Sequence, residues 1–141
     1  METPLSPAAS RTEVDDDELF QVMADFLAEG YADTIASLCR REPRCLAWTG
    51  RLLTDERFAT RLGVSILFEE LVETSPELLP AAIPGLIEQL GHAQPTIRGE
   101  AASVLAIIGT PEALTPLPPL RDDPSPQVAA LVRDILDSAD G

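Results

Sequence analysis

One histidine, two cysteines and a run of four carboxylates are the obvious side chains of this 141-residue chain that could do chemistry. His92 follows Gly91 and lies four residues after Glu88, a spacing at which a carboxylate one helical turn back can hydrogen-bond an imidazole. Zinc binding or acid–base catalysis needs further ligands or a nucleophile, and the neighbouring residues supply none. The plainer expectation is a histidine at a helix end, where its partial positive charge suits the negative end of the dipole. Cys39 and Cys45 could form one disulfide or stand as two buried thiols. Two thiols alone do not make the framework of a small disulfide-stapled domain. Asp15, Asp16, Asp17 and Glu18 are consecutive, whereas a calcium loop needs ligands at alternating positions and a turn glycine. A glycine-rich phosphate loop, a nucleophile elbow and an HExxH pattern are all lacking. The chain is expected not to be an enzyme, with no catalytic, cofactor-binding or metal-binding residue assigned and no cofactor.

Composition narrows the partners. Twenty-four acidic residues face 10 basic ones, all of the latter arginine, for a net charge of −14. Such a surface repels phosphate backbones, so nucleic acid is not an expected ligand. Lysine and asparagine are both absent, which we read as the codon bias of a GC-rich, bacterial genome. No segment approaches the roughly 20 continuous apolar residues of a membrane span, and Met1 to Ser10 lacks both a basic region and an apolar run. The expectation is a soluble, cytoplasmic protein with no membrane partner. Its apolar residues are chiefly Leu, Ala, Ile and Val with few aromatics, a mixture that suits close helix packing.

These side chains must be held by helices. The acidic run precedes Leu19, Phe20, Val22, Met23, Phe26 and Leu27, an apolar stripe with carboxylates at its dipole-favoured start, and Gly30 ends it. Tyr31, Ile35, Leu38 and Cys39 predict a short helix stopping near Pro43. A third segment carries Cys45, Leu46, Trp48, Leu52 and Leu53. Thr54 with Asp55 and Glu56 reads as a cap for the face Phe58, Leu62, Val64, Leu67, Phe68, Leu71 and Val72, with Gly63 a candidate bend. Ser75-Pro76, Thr110-Pro111 and Ser125-Pro126 each place a capping hydroxyl before a proline at the first helical position. Pro80, Pro84, Pro116, Pro118 and Pro119 predict that the intervening helices are short, kinked or irregular.

The apolar face repeats. Ile97, Ala101, Val104 and Leu105 correspond at an offset of 31 to Val128, Val132, Ile135 and Leu136, and at an offset of 33 to Val64, Phe68, Leu71 and Val72. Leu53, Leu86 and Leu117 correspond likewise. Two helices per unit of about 30 to 35 residues is the signature of a solenoid. The segment IPGLIEQLGHAQPTIRGEAASVLAIIG, Ile83 to Gly109, resembles HEAT-like helical repeats of the PBS-lyase type, with the resemblance covering residues 46–138. In it Leu86 and Leu90 mark a first helix, Gln94 and Pro95 the turn, and Ile97, Arg98, Ala101, Ala102 and Leu105 a second. The following unit keeps the turn motif RDDPSPQV but has Ala129 where the family often has arginine. The resemblance implies a structural ladder in which Arg98 reaches Asp122 or Asp123 of the next turn.

The expected fold is all-α: a short right-handed α-solenoid of stacked antiparallel helix pairs with an N-terminal helical cap. Residues 1–14 are expected to be a flexible tail and residues 15–141 one domain, comprising a cap at 15–44 and repeat units at 45–75, 76–110 and 111–138. Leu105→Ala is expected to cost about 2 to 5 kcal/mol. Second helices of such repeats conventionally line the concave face, and here they carry Glu69, Glu70, Glu73, Glu100, Asp134 and Asp137. The expected function is therefore a non-catalytic protein–protein interaction module, an adaptor or assembly chaperone. Its partner would be a protein or peptide with a basic or mixed surface, and the chain itself a monomer or weak homodimer. One alternative is a lyase or other small-ligand enzyme, since some HEAT-like relatives attach bilin chromophores. Another is a self-associating structural domain pairing through an apolar end that includes Trp48 or Phe20.

Overall fold

The computed structural model describes the backbone of residues 6–140 and the side chains of residues 16–139. All regular structure among them is helical. Helices α1 (Ser6–Ala28) and α2 (Ala32–Arg41) come first, joined through Gly30 in the left-handed region at φ 93°. Three units follow, each with a broken first helix and a continuous second one. The first unit has a 3-10 segment, Pro43–Trp48, then α3 (Thr49–Leu52) and α4 (Phe58–Thr74). The second has a 3-10 segment, Pro76–Ala81, then α5 (Ile83–Gln89) and α6 (Pro95–Ile108). The third has α7 (Pro111–Leu114), a 3-10 segment, Pro118–Asp122, and α8 (Pro126–Asp140).

The breaks follow from the prolines. Each removes an amide and crowds the carbonyl four residues back, so the segments around Pro80 and Pro118-Pro119 tighten into i→i+3 turns. Proline also opens α6, α7 and α8, where no amide is lost. Thr110 Oγ1 accepts the Ala113 amide at 3.3 Å and Ser125 Oγ the Val128 amide at 3.4 Å, as expected of caps. Ser75 departs from that expectation. It is buried and makes no cap, its hydroxyl lying 3.3 Å from that of Thr74 and 3.5 Å from Arg40 Nη1.

Three other expectations need correction. Of the anticipated tail, residues 1–5 lie outside the described residues, and α1 already starts at Ser6, with Pro7 in a first turn that tolerates it. The acidic run therefore lies inside a helix and does not begin one. Thr54 does not cap α4. Its hydroxyl donates to the Arg51 carbonyl at 2.7 Å, and the turn is closed by Asp55 Oδ1, which accepts the Arg57 amide at 2.8 Å. Gly63 does not interrupt α4, which runs unbroken from Phe58 to Thr74. It is where α1 docks: a Cβ there would lie 2.8 Å from both Leu27 Cβ and the Leu27 carbonyl oxygen.

The helices form two layers. Helices α1, α4, α6 and α8 stack side by side in one; α2 and the three broken first helices form the other. Between them runs one continuous core, from Met23 and Leu27 through Val64, Phe68 and Leu71 to Leu105, Val132 and Leu136. The broken helices approach closely: a Cβ on Gly50 would collide with the Gly85 carbonyl oxygen. The N-terminal helices thus extend the stack, α1 taking the place of a second helix ahead of α4.

The repeat register differs from the expected one by a helical turn. The second helices begin at Phe58, Pro95 and Pro126, 37 and then 31 residues apart, while the first two 3-10 segments begin 33 apart at Pro43 and Pro76. Buried Thr60, Val64, Leu67, Phe68 and Leu71 of α4 hence correspond to Ile97, Ala101, Val104, Leu105 and Ile108 of α6, all buried as well. A helical apolar stripe looks alike after a shift of four residues, so hydrophobic pattern alone leaves its phase open. The extra turn lies in α5, seven residues long where α3 has four.

Candidate functional site

The exposed surface of the α1–α4–α6–α8 layer is where the six singled-out carboxylates were expected to gather. Glu69 and Glu73 stand exposed on α4, four residues apart on one stripe, with no cationic partner among the described residues. Glu70 is turned aside toward α2, its carboxylate 3.9 Å from Arg40 Nη2. Glu100 lies 2.8 Å from Arg61 Nε, too poorly aligned for a hydrogen bond and so an ion pair linking α4 to α6. Asp134 and Asp137 are exposed on α8, Asp134 bordering Ala106 of α6 and Asp137 beside Arg133. The fold therefore separates the six into exposed carboxylates on α4 and α8 and two that hold neighbouring helices.

Much of the arginine in the layer is engaged internally, mostly at the turns. Arg98 grips Asp123 with two parallel bonds, Nε to Oδ2 at 2.9 Å and Nη2 to Oδ1 at 2.7 Å, and its Nη1 donates to the His92 and Ala93 carbonyls. Asp122 is exposed and outside this pairing. Hydrogen bonding from Arg98 holds the Asp123 carboxyl below the usual carboxylate range. Arg61, four residues after the cap of α4 as Arg98 is of α6, donates to the Asp55 and Glu56 carbonyls. Arg57 bonds Asp55 and reaches Asp25 at 3.0 Å. Arg44 pairs with Asp16 and with Glu42.

His92 belongs to the same turn chemistry. Its Nδ1 accepts the Gln94 amide at 3.0 Å, as Asp55 accepts the Arg57 amide and Asp123 the Ser125 amide. It makes no hydrogen bond to Glu88, and it stands where the other two turns have aspartate. Cys39 and Cys45 are fully buried free thiols. Burial, then the neighbouring Cys45, pushes the Cys39 thiol up to about 12; burial likewise raises Cys45. No three His, Cys, Asp or Glu side chains gather into a cation cage among the described residues.

Sequence reasoning missed the apolar part of this surface. Phe58 and Leu62, on the apolar face expected for α4, are 63% and 47% exposed, and Ile66 is 46% exposed. With Glu69 and Glu73 they form a stripe on the side of α4 opposite Val64, Phe68 and Leu71. The signal was legible: steps of four, four, three and four residues trace one helical face. Next to it α6 presents small residues. Gly99 and Ser103, with Glu100, floor a groove of about 530 Å³ whose far wall is Val128 and Leu131 of α8. Trp48 and Phe20, anticipated at an apolar end, are half-buried, Arg44 lying 5.8 Å from the Trp48 ring and Arg51 4.3 Å from that of Phe20. Among the described side chains of the N-terminal helices and their connection, the large exposed apolar ones are instead Val22, Phe26 and Tyr31. Among the described residues no helix is long and apolar enough to cross a membrane.

In comparison with known proteins, residues 69–136 fit the family model for HEAT repeats. No curated protein and no solved structure matches the chain.

Proposed function

We propose that this chain, whose residues 69–136 fit the family model for HEAT repeats, is a non-catalytic protein-binding module, an adaptor or assembly chaperone that engages its partner on the exposed face of α4, α6 and α8. HEAT repeats commonly mediate protein–protein interaction and are generally non-enzymatic. One observation carries the reading: exposed Leu62 and Ile66 continue directly into exposed Glu69 and Glu73. Such a surface suits a protein partner that is partly apolar and partly basic. The side chains that would serve catalysis are otherwise occupied, His92 as a turn acceptor and the thiols in the core.

Affinity capture from lysate at low salt, with the unmodified chain and a Glu69→Arg/Glu73→Arg variant side by side, tests this. Both Glu70 and Glu100 are left in place, because they pair with Arg40 and Arg61. A protein held by the first and lost by the second, with unchanged helical circular dichroism, is the expected result. Equal capture by both, or none by either, removes this face as the site. A second reading, self-association through Val22, Phe26 and Tyr31, rests on their exposure. It requires a dimer mass in light scattering that persists at high salt, since apolar contact is little screened.

A further inference from the structure

The exposed stripe of α4 is ordered along its length. Phe58, Leu62 and Ile66 occupy the N-terminal half, and Glu69 and Glu73 the C-terminal half. The negative end of the α4 dipole lies at that second half and reinforces the two carboxylates. Resting on the protein-binding reading, we propose that the occupant of this stripe is an amphipathic helix of at least three turns. Its apolar residues lie on Leu62 and Ile66, and a separate block of arginine or lysine lies over Glu69 and Glu73.

Three features select a helix of that composition. The stripe from Leu62 to Glu73 is 12 residues of helix, about 16 Å end to end at 1.5 Å per step, which a helix of the same length matches turn for turn. The described residues contain no strand edge that could add an extended peptide by backbone pairing. On α6, the neighbour of α4, the small residues Gly99 and Ser103 floor a groove that opens toward Val128 and Leu131 of α8, so α6 sets little bulk against a helix lying along the stripe. Charge then selects the sequence of that helix. Glu69 and Glu73 repel one another at this spacing, and a cation relieves them. Arg40, at the same end of α4, is held at Glu70 and Thr74, and Arg61, at the other end, at Glu100 and two carbonyls. A second copy of this chain, at net charge −14, is a poor occupant.

The test uses the full chain and three synthetic, fluorescently labelled helical peptides of about 18 residues and identical composition. In two, a Leu/Ile block and an Arg block are segregated along one face, one in each polarity; in the third the same residues are interleaved. Fluorescence anisotropy at low salt should show one segregated peptide binding at least about tenfold more tightly than the interleaved one. Glu69→Arg/Glu73→Arg should remove that preference, and Ile66→Ser should weaken the same peptide at both low and high salt. Equal affinity for all three peptides, or a preference unchanged by the charge reversal, overturns the proposal. If no peptide binds while lysate capture still depends on Glu69 and Glu73, the helical occupant is wrong and the protein-binding reading stands. If neither assay responds to these residues, both fall.

Discussion

Asp123 and Arg98 show how much one turn of this chain depends on a single carboxylate, whose two oxygens take both guanidinium bonds and the Ser125 amide. Because Arg98 depresses the folded-state pKa of Asp123, its contribution is present above the unfolded carboxylate value of about 3.9 and is lost as pH falls through the lower folded value. Thermal unfolding of Asp123→Asn should therefore show a lower Tm than the unmodified chain at pH 7. The gap should narrow on acidification below about pH 4; a gap constant with pH would contradict this role. At His92 the acceptor matters and the imidazole does not. His92→Ala should cost about 1 kcal/mol, the net worth of one hydrogen bond, and His92→Asp should retain it. The thiols make a third residue-scale prediction. With Cys39 raised to about 12 and both thiols fully buried, a thiol reagent at neutral pH should label neither until the chain is unfolded.

Elements in this fold are joined where side chains are missing. Glycine at 63 lets α1 rest on α4, and a larger residue has only the Leu27 backbone and Cβ to displace. Gly63→Val should destabilise by about 1 to 3 kcal/mol, the range for overpacking. Hydrogen exchange should report the loss first in α1, while α8 stays protected. The first helices have the same logic at Gly50 of α3 and Gly85 of α5, whose backbones approach so closely that a side chain at Gly50 would meet the Gly85 carbonyl. The elements were largely readable from sequence. Proline starts, the Gly30 stop and the apolar stripes mark them, and Thr110 and Ser125 cap as their types suggest. Thr54 and Ser75 misled because a hydroxyl near a helix start signals a cap only when no closer partner claims it, and here the Arg51 carbonyl and the Thr74–Arg40 pair do.

At the scale of the whole molecule, no helix pair encloses its own apolar face, and each unit is covered by the next. Leu105, fully buried in α6 between α4 and α8, tests this coupling. Leu105→Ala should lower stability by about 2 to 5 kcal/mol, and the loss of exchange protection should spread into both neighbouring helices. A loss confined to α6 would mean that the units are energetically separate. Arg57, Arg61 and Arg98 are drawn into the turns, while Glu69, Glu73, Asp134 and Asp137 face outward on a strongly negative chain.

The amino-acid sequence by itself determined that this chain is helical and that its helices come in pairs. Those properties are local: they follow from periodicity, caps and prolines, each read within a turn or two. Only the tertiary structure decided the register of the second helices, because an apolar stripe is unchanged by a four-residue slip and only the packed turns at Asp55, His92 and Asp123 set its phase. It also decided which carboxylates are free. Glu69, Glu70 and Glu73 lie within one helical turn in sequence, yet the partners that take Glu70 and Glu100 out of the exposed face, Arg40 and Arg61, sit on other helices. The side chain of Ile66 faces outward for the same reason, since burial belongs to the layer that covers a helix and not to the residue type.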